Sequence, residues 1–178
     1  MNEADTMGRT DRMDQTEQVD RENEELPADA HREAERDARR DLADRDDVEA
    51  LTDAFYRTAF TDPLIGPVFT DVAQMDLAVH LPVICDFWES VLFRTGSYRR
   101  NALQPHLAVH RMEPLGPEHF ARWLAIWKAT VDSLFSGDRA EVAKLQAERI
   151  AGAMLRRLQS FDAYAYEYQP GPLGHHAY

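Results

Sequence analysis

The amino-acid sequence predicts an all-α domain, with an acidic N-terminal extension and a loosely ordered C-terminal tail. Three observations predict it. Large apolar residues between positions 48 and 161 recur three and four apart, the spacing of one helix face. No stretch alternates apolar and polar residues as a half-buried strand would. Charge also divides sharply along the chain. Of a formal net −12, residues 1–48 carry 17 acidic and 8 basic side chains, and residues 49–178 carry 15 and 12.

Residues 1–47 read as a separate acidic extension, disordered or at most a frayed helix. They have almost no large apolar residues, so burial cannot offset the entropy of ordering. The domain is expected over residues 48–161, with Asp46 or Asp47 capping its first helix. Val48, Leu51, Phe55 and Ala59 form that helix's apolar stripe, and Asp62-Pro63 ends it because the residue before proline avoids the helical region. Gly66-Pro67-Val68-Phe69 is a turn that inserts an aromatic.

A second helix over 74–94 places His80, Ile84, Phe87, Trp88, Val91 and Leu92 on one broad face, with Pro82 starting or kinking it. Residues 98–116 are expected to be irregular save for a helical turn at Leu103–Leu107, since Pro114, Gly116 and Pro117 break anything longer. Phe120, Trp123, Leu124, Trp127, Val131, Leu134 and Phe135 make the third long helix, with Pro117 near its start and Gly137 as its stop. Asp138-Arg-Ala-Glu141 reads as a capping box for a fourth, whose buried stripe is Val142, Leu145, Ile150, Met154, Leu158 and Phe161. Residues 162–178, rich in Tyr, Gly and Pro, are the tail.

Composition excludes several function classes. A pI near 4.9 opposes non-specific nucleic-acid binding, which needs Lys and Arg to neutralise phosphates, and opposes binding to an anionic membrane. The single cysteine, Cys85, forms no intramolecular disulfide framework and suits a reducing cytoplasm. No apolar run approaches the roughly 20 residues of a spanning helix, and none at the N-terminus serves as a signal peptide. Gly-rich phosphate loops and a Ser-His-Asp arrangement are missing from 48–161. So are the Glu-x-x-His pairs of a di-iron bundle.

The chemistry-bearing residues are Phe55-Tyr56, then His80 and His106 twenty-six residues apart, then Trp123. His106 is either a surface histidine or, between Leu103 and Leu107, an imidazole turned toward apolar neighbours, where neutral nitrogen suits iron. His106 and His110, four apart, could also share zinc with His119. A zinc protease motif, however, needs Glu where Leu107 stands. His80 shares a face with Ile84 and Phe87. Tyr56 and Trp123 are plain core aromatics or, facing a pocket, an O–H and an N–H donor.

Taken in order, these pieces resemble the group III truncated haemoglobins. The matching segments are Ala54-Phe55-Tyr56-Arg57, Leu64-Ile65-Gly66-Pro67-Val68-Phe69 and His80-Leu81…Ile84…Phe87-Trp88. Thr95-Gly96-Ser97-Tyr98, His106-Leu107 and His119-Phe120-Ala121-Arg122-Trp123-Leu124 complete the set, so the resemblance covers about residues 49–160 and neither tail. It implies a two-over-two helical globin fold binding one haem b. His106 matches the proximal iron ligand, Tyr56 and Trp123 the distal donors, and His80 a distal gating histidine. Phe69 matches the aromatic packed on the haem edge and Ile84 an apolar wall residue, with Phe87 beside it on the cofactor side. Tyr98, Arg99 and Arg100 are candidate partners of the propionates, Arg being suited to carboxylates. Where the family commonly has Gly-Asn-Pro before the proximal helix, this chain has Arg100-Asn101-Ala102.

The function implied is binding of dioxygen, NO or CO. NO dioxygenation or peroxide reduction are possible reactions, each drawing on an external electron donor or reductase. The reading from a different class is a haem-free, globin-like helical interaction module.

Overall fold

The computed structural model describes residues 39–167, with side chains through 165. The expectations for residues 1–38 and 168–178 lie outside these. The compact unit begins at Arg39, not at residue 48, because the segment before the first helix supplies core and caps. Leu42 is 1% exposed. The buried Asp47 carboxylate is paired with the Arg40 guanidinium and accepts from the Ala43 amide at 2.8 Å. These contacts outweigh its burial and hold the Asp47 carboxyl below the ordinary carboxylate range.

Beyond that segment the described residues form five α-helices: α1 Arg45–Thr61, α2 Leu77–Phe93, α3 Leu103–Met112, α4 Pro117–Leu134 and α5 Asp138–Glu167. A π-helical turn, Val68–Val72, lies between α1 and α2. Asp44, rather than Asp46 or Asp47, caps α1, accepting from the Asp47 amide at 3.1 Å. Asp62 ends that helix with extended backbone, as its proline neighbour requires. Asp76 caps α2, which runs through Pro82 and closes on Arg94 in the left-handed region. Among the described residues there is no strand, and no helix is long and apolar enough to cross a membrane.

Helix α3 is longer than the expected single turn. The breakers Pro114, Gly116 and Pro117 lie beyond Met112, so they end the helix without shortening it. Helix α4 ends at Phe135, whose backbone is extended, so Gly137 is not its stop. Gly137 sits instead at the entry to α5 with φ +138°. The expected capping box is replaced by a distant residue. Both Asp41 oxygens accept from the first free amides of α5, Arg139 at 2.9 Å and Ala140 at 2.8 Å.

The face that α5 buries also differs from the expectation. Val142 and Leu145 are 39% and 43% exposed, whereas Ala140, Ala143, Ala147, Ala151 and Leu158 are buried. Small side chains let α4 approach closely enough for the Trp127 indole to donate to the Ala143 carbonyl at 3.3 Å. The helix runs to Glu167, past the point where the tail was expected. Helices α1 and α2 form one pair and α4 and α5 the other, joined where α1 crosses α4. Short α3 touches α5 and the π-helical turn. This two-over-two arrangement leaves a space between α2, α3 and the outer pair.

Candidate functional site

That space is a cavity of about 270 Å³. Its lining is mostly apolar, with three histidines and two tyrosines as its polar groups. Eight of the candidate site residues line it: Tyr56, Phe69, His80, Ile84, Phe87, Tyr98, His106 and Trp123. Arg99 and Arg100 do not; their side chains are exposed on the connection between α2 and α3. Tyr98 turns its ring inward onto Phe87 (5.2 Å between centroids) and the next residue in an extended connection points away.

His106 projects from the first turns of α3. Its Nδ1 lies 2.7 Å from the Ala102 carbonyl, four residues back. A carbonyl only accepts, so Nδ1 carries the proton and Nε2 keeps a free lone pair. Burial pushes the imidazole below its ordinary value, only partly opposed by the Ala102 hydrogen bond, and this keeps the ring neutral. The residue as a whole keeps an exposed surface, and it lines the cavity.

His80 repeats the device on the other wall: its Nδ1 donates to the Asp76 carbonyl at 2.7 Å, again four residues back. His110 is different. It is 5% exposed, accepts at Nδ1 from the Leu115 amide at 2.9 Å and donates from Nε2 to Asp162 at 2.8 Å. Both nitrogens are committed, so it cannot share a metal with His106. His119 accepts at Nδ1 from the Gly116 amide at 3.1 Å, completing the start of α4. No group of three or more His, Cys, Asp or Glu among the described residues is placed to hold a metal ion.

Tyr56 is set by an aromatic frame. Its ring meets Phe55 edge-on at 4.9 Å, Phe60 at 5.9 Å and Phe69 at 5.7 Å. Burial raises the phenol well above its ordinary value, so the hydroxyl stays protonated as a donor. Among the described residues that hydroxyl has no hydrogen-bond partner. Phe69 rides on the π-helical turn, whose extra residue per turn turns its ring toward Tyr56.

The roof is a stack of three indoles. Trp88 and Trp127 lie 4.1 Å apart at 18°, and Trp123 lies 5.6 Å from Trp127 at 6°. Trp127 is wholly buried, while Trp88 and Trp123 reach the cavity. Each such pair contributes roughly 0.5–1.5 kcal/mol beyond burial, so the roof is rigid. Sequence spacing places Trp88 on the right helix face without assigning it to the site. It also makes Ile150 and Met154 plain core, although both line the cavity from α5. Helical spacing from Ile84 to Trp88 is the available signal for the former. For the latter there is none, because α5 joins the site only through its packing.

This architecture has a counterpart among solved structures. It is similar to the crystal structure of a group III truncated hemoglobin from Campylobacter jejuni, with a TM-score of 0.60 and 23% sequence identity. The match covers 67% of this chain and 94% of that one. The fold is a truncated globin fold. No protein-family model and no curated protein matches the chain. Within the truncated globin fold, the cavity lies between α2, which carries His80, and α3, which carries His106.

Proposed function

We propose that this chain is a haem protein in which His106 takes the iron of haem b and a diatomic ligand binds on the side of Tyr56 and Trp123. One observation carries the reading. His106 presents a neutral imidazole with Nδ1 tied to Ala102 and Nε2 without a partner among the described residues, in an apolar cavity. A hydrogen-bonded Nδ1 is how a ligating histidine is oriented and made more basic. The unpartnered Tyr56 hydroxyl and the flat walls of Phe69, Ile84 and Phe87 fit the same occupant.

Haem held in this way supplies an iron that binds dioxygen, NO or CO and exchanges single electrons. The chain's own residues do the rest. Tyr56 offers an O–H and Trp123 an indole N–H to the ligand, and His80, anchored at Asp76, stands as the distal gating histidine. The stacked indoles and Phe55 exclude water from the donor side. Turnover, as an NO dioxygenase or a peroxidase, draws electrons from an external donor. Cys85, buried and bonded to Thr52 at 3.2 Å, suits a reducing cytoplasm.

Titrating purified apoprotein with haem tests the reading. The expected result is a sharp stoichiometric Soret band in wild type that is lost or altered in His106→Ala. The absence of a specific band in wild type refutes it and leaves a haem-free helical interaction module.

A further inference from the structure

The stretch from Ser90 to Met112 holds four arginines and no Asp or Glu, in a chain whose net charge is −12. Arg111 is engaged, its guanidinium 4.9 Å from the Phe161 ring. Arg94, Arg99 and Arg100 are exposed, and none has an ion pair or hydrogen bond among the described residues. Four arginines of the domain are tied down: Arg40 to Asp47, Arg45 to Glu49, Asp86 and Glu89, Arg57 to Asp53, and Arg122 to Asp62. Arg149, Arg156 and Arg157, by contrast, are spread along α5, exposed and without an ion pair among the described residues. A carboxylate that reaches the connection between α2 and α3, Glu89, is held by Arg45 at 3.1 Å and by the Ser97 hydroxyl at 3.1 Å. The charges of Arg94, Arg99 and Arg100 are thus left facing water.

Their place matters as much as their charge. Arg99 and Arg100 are bracketed by Tyr98 and Ala102, both of which line the cavity. The connection is also held in register. Ser90 Oγ accepts from the Tyr98 amide at 2.8 Å, and the Ser97 hydroxyl donates to the Asp86 carbonyl at 3.2 Å. A partner seated on Arg99 and Arg100 therefore sits within a residue or two of the cavity rim.

We propose that Arg94, Arg99 and Arg100 form the docking surface for an acidic single-electron carrier protein. The inference rests on the haem reading and names the partner chemistry that reading needs. The carrier gives up one electron, the haem iron gains it, and no bond or proton changes hands at the surface. A chain this acidic repels an acidic partner at long range. Local complementarity at the rim overcomes that repulsion only near contact, steering the carrier to the one edge where transfer is short.

The probe is a flavodoxin, used as a small acidic one-electron donor. Its association with the chain is followed by calorimetry, and haem reduction by stopped flow, from about 20 to 300 mM salt. That range shortens the screening length from roughly 20 Å to about 6 Å. Docking on the arginines predicts association and reduction that weaken as salt rises, and an Arg99→Glu/Arg100→Glu variant about tenfold weaker at low salt. If repulsion by the net charge governs instead, the wild-type rate rises with salt, and the proposal is overturned. It is equally overturned if no association is measurable at low salt, or if the variant binds as wild type does. Should the variant lose haem affinity while binding flavodoxin normally, the arginines serve the propionates and not a partner. Calorimetry reads docking whether or not haem is loaded, so failure of the haem reading is seen separately in the Soret titration.

Discussion

Gly137→Ala probes how the segment ahead of α1 secures the helix that closes the site. A Cβ added at Gly137 would meet Asp41 Cγ at 2.5 Å and Cβ at 2.6 Å, and its backbone would stay at φ +138°. The dihedral is one that side chains rarely adopt, costing about 1–3 kcal/mol. The contact pushes Asp41 away from the Arg139 and Ala140 amides, and losing a helix cap costs about 0.5–2 kcal/mol. Together the substitution is expected to destabilise by about 1.5–5 kcal/mol, measured as a lowered urea midpoint at unchanged slope. Asp41→Gly removes the cap and, lacking a Cβ, also clears the space, so the double variant should pay only once for the lost cap. The two single losses should then exceed the double loss by about 0.5–2 kcal/mol. A Gly137→Ala chain within about 0.5 kcal/mol of wild type, or strict additivity in the cycle, would refute the assignment of Asp41 as the cap of α5.

Tyr56→Phe and Trp123→Phe each remove one donor from the ligand side of the cavity. A neutral hydrogen bond is worth about 0.5–1.5 kcal/mol, so each should speed diatomic ligand release by roughly two- to tenfold in flash photolysis or stopped flow. Unchanged off-rates would show that the ligand does not use these donors. Asp62, at 6% exposure, pairs with Arg122 at 2.6 Å and accepts from the Leu64 and Ile65 amides. Burial pushes this carboxyl up, but the amides and the guanidinium outweigh it and hold the group below its ordinary value. A depressed folded pKa gives stability that is complete above about pH 4. That stability is lost as pH falls through the folded value, because the unfolded chain then binds more protons. Asp62→Asn should start less stable at pH 7 and lose less stability on acidification; parallel pH profiles would contradict it.

How much of the site is legible in sequence depends on what periodicity measures. His80, Ile84 and Phe87 fall on one face of any helix that contains them, so their shared wall is readable before the helix is placed. Phe55 and Tyr56 are equally plain. Arg99 is not, because in the extended connection neighbouring side chains diverge, and only Tyr98 packing on Phe87 decides which one faces in. Helix α5 shows the same limit. Hydropathy ranks Val142 and Leu145 above Ala143 and Ala147, yet the close approach of Trp127 admits only the small residues. The stack of Trp88, Trp123 and Trp127 joins α2 to α4, a relation invisible within either helix alone.

The sequence by itself determined the helical class, the order of the main helices and part of the set of side chains that meet at the cavity. Those depend on local spacing and on breakers such as Pro63, whose effects act within a few residues. Tertiary structure decided which nitrogen of His106 is free, that His110 turns away to Asp162, and that Asp41 caps a helix ninety-eight residues further on. Each of these is a hydrogen bond completed by a partner set in place by the backbone's path or brought near by folding. Their energy lies in satisfying buried polar groups, and local sequence spacing does not encode that satisfaction.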